Sequence, residues 1–135
     1  MSAWLIPAIG ALLVWGVWGA LPKLASRHLD PKSILVYEAL GALLVGLAVL
    51  ARMDFKPQVH SAGIALSVAT GAAGFIGTLL FLHAISKGKA SVVVTITALY
   101  PLVVIAISHV FLGEYITLKQ SIGVAFALVA LVLLS

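Results

Sequence analysis

The chain has 135 residues, 63% of them hydrophobic and 9% charged, with a formal net charge of +4. A soluble domain is about 45–50% apolar and about 25% charged, so a mean hydropathy of +1.23 excludes a water-soluble globule of this size and makes lipid the solvent for most of the surface. The 8 lysines and arginines lie mostly between apolar runs without interleaved aromatics, which argues against nucleic acid as a partner, and the absence of cysteine excludes disulfides, thiolate metal sites and thiol redox chemistry.

Five runs approach the roughly 20 apolar residues needed to cross a bilayer. They are too long for strands and lack the alternation of a membrane barrel, and only helices and closed barrels satisfy their backbone groups in lipid. The fold class is therefore an all-α integral membrane protein with five transmembrane helices, read as a single domain over residues 1–135. The first helix is expected over residues 4–25. It lacks the basic leader of a signal peptide and exceeds the ~7–15-residue apolar stretch of one, so it reads as a retained span. SRHLDPK follows, with Asp30-Pro31 placed to start the next helix. The second span is expected over 33–51 and is closed by RMDFKPQ. The third is expected over 60–86, in a stretch from Pro57 to Ser86 with no Asp, Glu, Lys or Arg. After the turn KGKA the fourth is expected over 91–113, with Pro101 removing a backbone donor and kinking it. The fifth runs from 118 to 135 and is the shortest, with Lys119 snorkelling to the interface.

Small residues recur every four positions on three helices: Ala65, Ala69, Ala73 and Gly77; Ala42 and Gly46; Gly123 and Ala127. Such stripes permit close backbone approach and predict a tight bundle. Orientation is weakly encoded. The side carrying Lys23, Arg27, Lys32, Lys87 and Lys89 outweighs the side carrying Arg52, Lys56 and Lys119 by five to three. That favours a cytoplasmic C-terminus only slightly and is compatible with insertion both ways up.

Glu38 stands out. A carboxylate among apolar residues costs roughly 2.5–3.5 kcal/mol on insertion scales, and an intramembrane ionisable residue is by default a candidate functional site. Counting from the side of Lys32 and Lys87, Glu38 lies about 9 Å deep and His83 about 6 Å deep at 1.5 Å per residue. Lys23 falls in the same leaflet. The functional reading is a polar pocket or proton relay. Glu38 would bind a cation or exchange a proton, and His83, with an unperturbed pKa near 6.5, would relay it. The plainer reading is that Glu38 neutralises Lys23 and holds two helices together. Trp15 and Trp18 share a helix face at a depth where tryptophan is unusual, and they suit a cavity that stacks a flat or cationic substrate. Tyr37 and Tyr100 add hydroxyls at helical depth, and Thr95 and Thr97 are further lining candidates. The kink at Pro101 is the kind of feature that borders a transport path, because freed carbonyls can face a cavity. His109, His28 and His60 read as interfacial or loop residues.

No nucleophile–base set, HExxH, phosphate-binding GxxxxGK[ST] or metal-ligand cluster is present, so neither an enzyme nor a bound cofactor is expected. GAAGFIG, Gly71 to Gly77, is glycine-rich but falls inside a membrane helix.

The second half of the chain, HAISKGKASVVVTITALYPLVVIAISHVFLGEYITLKQSIGVAFALVALVL, resembles the EamA domain of the drug/metabolite transporter superfamily. The likeness rests on a short basic turn before ASVV, the helical proline of LYP, Phe111-Leu112-Gly113-Glu114 with Ile116-Thr117, and a final glycine-bearing helix. Trp15-Gly16 and Lys23 extend it to the first half. The resemblance implies one half of a ten-helix carrier for small metabolites, built from two five-helix halves of opposite orientation. A single half would then work as a homodimer, antiparallel through dual topology, or with a separate partner half. Members of the family commonly carry arginine in the second helix near the place of Glu38. An acid there reverses the sign of the pocket and favours a cationic substrate or proton coupling. In the family pattern Glu114 reads as a helix-end residue. The combined expectation is a secondary transporter of a small metabolite or cationic compound in the inner membrane. The alternative is a non-transporting membrane subunit.

Overall fold

The computed structural model describes residues 4–134 and is helical throughout its ordered elements, with no strand among the described residues. The helices are α1 (Leu5–Ala25), α2 (Pro31–Arg52), α3 (Ser61–Lys87), α4 (Ala90–Thr97), α5 (Tyr100–Phe111) and α6 (Leu118–Leu134). Four stretches are long and apolar enough to cross a membrane: α1, α2, α3 and α4–α5 taken together, with α6 as a shorter apolar helix. The protein is a multi-pass integral membrane protein. Ser135, the last residue of the fifth expected span, lies outside the described residues.

The chain divides into two compact units, Met1–Lys87 and Gly88–Ser135. In the first, α2 is started by local chemistry. The Asp30 carboxylate accepts from the Lys32 and Ser33 amides at 2.9 and 3.2 Å and from the Ser33 hydroxyl at 2.6 Å, with Pro31 at the first helical position. This side chain satisfies orphan donors that a helix start otherwise exposes. At the other end the chain leaves α2 through Asp54 and Phe55, both left-handed (φ 52° and 56°), and the Phe55 amide returns to the Leu50 carbonyl at 3.1 Å. His60 then caps α3, its Nδ1 accepting from the Gly63 amide at 3.2 Å.

The core of this unit is small and sits at one end. Ile34 on α2 and Phe81, Leu82 and Ile85 on α3 are the buried apolar side chains, joined by Gly19 and Pro22 on α1. The small-residue stripes lie elsewhere. Every position of the three stripes is exposed, and a methyl added at Gly46, Gly77 or Gly123 would meet nothing within 4 Å. The expected tight bundle is therefore corrected: bulky Ile, Leu and Phe side chains hold α1 to α3 together at one end, and the close-approach surfaces are left open.

In the second unit the expected fourth span is broken. Pro101 has no N–H for the Thr97 carbonyl, and the Leu102 amide bonds Leu99 at 2.8 Å instead of Ala98. The break falls at Ala98–Leu99, ahead of the proline, so that Tyr100 and Pro101 occupy the first turn of α5, where a missing donor costs least. α5 ends two residues earlier than expected, at Phe111, and the chain passes through left-handed Gly113 (φ 67°), the position after a helix where only glycine is free of a Cβ penalty. Thr117 and Gln120 form a reciprocal capping box that starts α6: the Thr117 amide donates to Gln120 Oε1 at 2.9 Å and the Gln120 amide to Thr117 Oγ1 at 3.3 Å.

Candidate transport site

Three helices of the first unit bring distinct chemistry to one depth. α1 and α3 run in parallel, registered by two contacts. Trp18 stacks on Phe81 with ring centroids 5.5 Å apart and planes 19° from parallel. Five residues on, the Lys23 ammonium donates to the Ile85 carbonyl at 2.9 Å. That carbonyl belongs to the last turn of α3, where a cation meets the negative end of the helix dipole. α2 joins them antiparallel through Ile34, which is only 4% exposed.

One helical turn inward from the buried residues Pro22, Ile34 and Ile85 lie Trp18, Glu38 and Phe81. Residues four apart share a helix face, so each of the three continues the face that its buried neighbour turns to the core. By helix rise, each lies about 9–10.5 Å from its helix end at Ala25, Pro31 or Lys87. Phe81 is 8% exposed and Trp18 is 42% exposed, so the stacking ring is buried while the indole is only partly covered. Glu38 is half-buried and takes part in no hydrogen bond or ion pair among the described residues. The expected alternative, in which Glu38 neutralises Lys23, is replaced by the Lys23–Ile85 link: the lysine closes a helix end, and the acid stands without a counter-charge.

The remaining candidates fall in other places. Trp15, on the same side of α1 as Trp18, is 62% exposed and stacks on no ring among the described residues. His83 is exposed, and its Nδ1 lies 2.9 Å from the Leu79 carbonyl of its own helix, an acceptor that takes the ring N–H. Tyr37 is exposed and borders a shallow depression with Lys32, Ser33 and Val36. Thr95, Tyr100 and Pro101 belong to the second unit. Thr95 Oγ1 donates to the Ser91 carbonyl at 2.7 Å, so its hydroxyl satisfies its own helix, and Tyr100 is exposed. Pro101 lines a cleft of about 480 Å³ with Ile105, Ser108, Glu114, Gly123 and Ala127. Glu114 serves the turn there through its backbone: its amide donates to the Ser108 carbonyl at 3.2 Å, and its own carbonyl lies 2.9 Å from His109 Nδ1.

Phe81 escaped the sequence reading because a phenylalanine in an apolar helix carries no signal of its own. Its distance of four residues from Ile85 becomes informative only once Ile85 is known to be buried. Among the described residues no group of three His, Cys, Asp or Glu side chains is arranged to hold a metal.

The EamA-like transporter family model matches residues 2–135, spanning both units. The chain belongs to the EamA-like transporter family. A relative, an uncharacterized protein of Methanocaldococcus jannaschii, is 43% identical over 60 residues, a stretch covering 44% of this chain and 44% of that protein. No solved structure matches. EamA membership fits the helix-end features that carry the resemblance: the FLGE segment supplies the left-handed glycine after α5, and Thr117 opens the capping box of α6.

Proposed function

We propose that this EamA-family chain is a secondary transporter of a small metabolite or cationic compound, working as a dimer of five-helix halves and coupled to protons through Glu38. The observation that carries the reading is a half-buried carboxylate within a membrane-spanning helix, one turn from buried Ile34, without a counter-charge among the described residues. Retaining such a group costs a few kcal/mol, and a group that alternately binds a proton and a cation accounts for the expense. Alternating access would rock one half against the other around this depth. The exposed small-residue faces of α2 and α3 are the surfaces available to a second half, since small residues let helices approach.

The test is pH-gradient-driven flux in proteoliposomes carrying the full chain, with an internal pH dye reporting proton movement as external cations are supplied. Glu38→Gln is expected to abolish coupled flux while inserting into the membrane at wild-type levels. Undiminished flux in that variant removes the coupling role.

A further inference from the structure

We propose that the cleft between α5 and α6 is the seat of a single phospholipid, with an acyl chain along Gly123 and Ala127 and an ethanolamine headgroup at Glu114 and Lys119. The site lies within the second unit and does not depend on the transport reading. α6 packs on α4, and with α5, the helix before it, α6 encloses the cleft of about 480 Å³. Its walls are apolar and its polar groups gather at one end. Leu99, Ile105, Gly123 and Ala127 line the depth, whereas Ser108, Glu114 and Gln120 stand where α5 ends and α6 begins. From Ser108 to Leu99 the wall runs about 13 Å at helical rise, close to one leaflet's share of a hydrocarbon core about 30 Å thick. A groove one leaflet deep, apolar within and polar at the interface, repeats the profile of a phospholipid. On α6 the groove is open: a Cβ at Gly123 would meet nothing within 4 Å.

The mouth is held in place by the turn. The Ser108 carbonyl accepts from the Leu112 and Glu114 amides at 3.0 and 3.2 Å, and Gln120 Oε1 accepts from the Thr117 amide and hydroxyl, each at 2.9 Å. These bonds fix the backbone beside Glu114. Among the described residues they leave the Glu114 carboxylate, the Lys119 ammonium and the Gln120 side-chain N–H groups uncommitted. An acid and a base at one mouth suit a zwitterion. Glu114 accepts from a primary ammonium, and Lys119 and Gln120 donate to the phosphate, the charge-assisted bonds being the strong ones. A choline headgroup has no N–H for the acid, and a glycerol headgroup sets the net negative charge of its lipid against it. A helix of a second copy would cover the apolar walls, but the polar end at the interface favours an amphiphile.

The experiment titrates the purified, delipidated full chain in detergent with dioleoyl phosphatidylethanolamine, phosphatidylcholine and phosphatidylglycerol, and counts retained lipid by native mass spectrometry. One phosphatidylethanolamine per chain is expected, bound about ten-fold more tightly than either of the others, the order of one hydrogen bond to a charged group. Glu114→Gln should keep a lipid and lose the preference for ethanolamine. Lys119→Gln should weaken all three lipids alike, because the phosphate is common to them. Gly123→Leu fills the groove and should remove retained lipid whatever its headgroup, with helix content by circular dichroism unchanged; Ala127→Leu is the second variant of the same kind. Equal retention of the three lipids by the wild-type chain overturns the proposal, as does a folded Gly123→Leu chain that holds phosphatidylethanolamine normally. A Gly123→Leu chain that loses self-association while its lipid retention is unchanged gives the cleft to a second copy and overturns it too.

Discussion

Lys23 and Asp30 are both charged residues near the same membrane face, and the structure gives each a backbone group to satisfy. Lys23 closes the end of α3 through the Ile85 carbonyl, and Asp30 opens α2. The Ser33 hydroxyl first, and then the Ser33 and Lys32 amides, hold the Asp30 carboxyl below its ordinary value of 3.8. A carboxylate whose folded value is depressed stabilises the fold at pH above its unfolded value, and that contribution disappears as pH falls through the folded one. Asp30→Ala is therefore expected to increase amide exchange at Lys32 and Ser33 near neutral pH. The difference from wild type should close as the pH drops below about 3.8. A difference that persists unchanged in strong acid would show that the cap does not depend on the ionised carboxylate. Glu38 sits on the same helix and takes part in no hydrogen bond or ion pair among the described residues, and the proposed coupling role rests on this contrast with Asp30.

At the scale of the element, the break at Ala98–Leu99 is the feature with consequences. The carbonyls of Thr97 and Ala98 lack the donors that a continuous helix would supply, because residue 101 is proline and the Leu102 amide is bonded to Leu99. In lipid an unsatisfied backbone group costs several kcal/mol unless it lines a protein cavity or water, and Ala98 lines the 480 Å³ cleft of the second unit. Pro101→Ala supplies an N–H to Thr97 and removes the reason for the break. Slower hydrogen exchange across residues 98 to 102 is expected, with α4 and α5 merging into one helix. Exchange identical to wild type would show that packing, not the proline, breaks the helix. α3 presents the opposite case, with 27 residues of uninterrupted helix and a histidine cap supplied from the preceding loop.

The whole chain has few places to hide its apolar surface. At most 11% of any long apolar span is buried within the chain, so what covers the rest is lipid or another polypeptide. With the shorter α6 counted as a fifth span, the two ends fall on opposite sides, and a charge bias of five to three barely selects between the two insertions. For an antiparallel homodimer both insertions must occur in one membrane. Because the chain contains no cysteine, a single Gln58→Cys or Gly88→Cys substitution gives a unique label on each side. Impermeant maleimide applied to sealed vesicles is expected to modify a substantial fraction of both variants. Labelling of one variant only would show a fixed orientation and leave a separate partner half as the way to complete a carrier.

The amino-acid pattern by itself determined the solvent, the apolar helical stretches and the presence of an acid within one of them. These follow from hydropathy summed over some twenty residues and from charge, neither of which depends on neighbours distant in the chain. It also exposed Asp30-Pro31 as a helix start, because capping is decided within four residues. Tertiary structure decided which side chains face one another. Ile34, Phe81, Leu82 and Ile85 form the core while equally apolar residues elsewhere stay exposed, and Trp18 finds a stacking partner where Trp15 finds none. The small-residue stripes predicted packing within the chain and found open space, since local spacing shows that a helix can be approached closely but not by what. The alternative reading pairs Lys23 with Glu38 because both lie in one leaflet. Depth follows from chain counting, whereas direction depends on how α1 packs against α3, and that packing gave the ammonium to a carbonyl and left the carboxylate uncommitted.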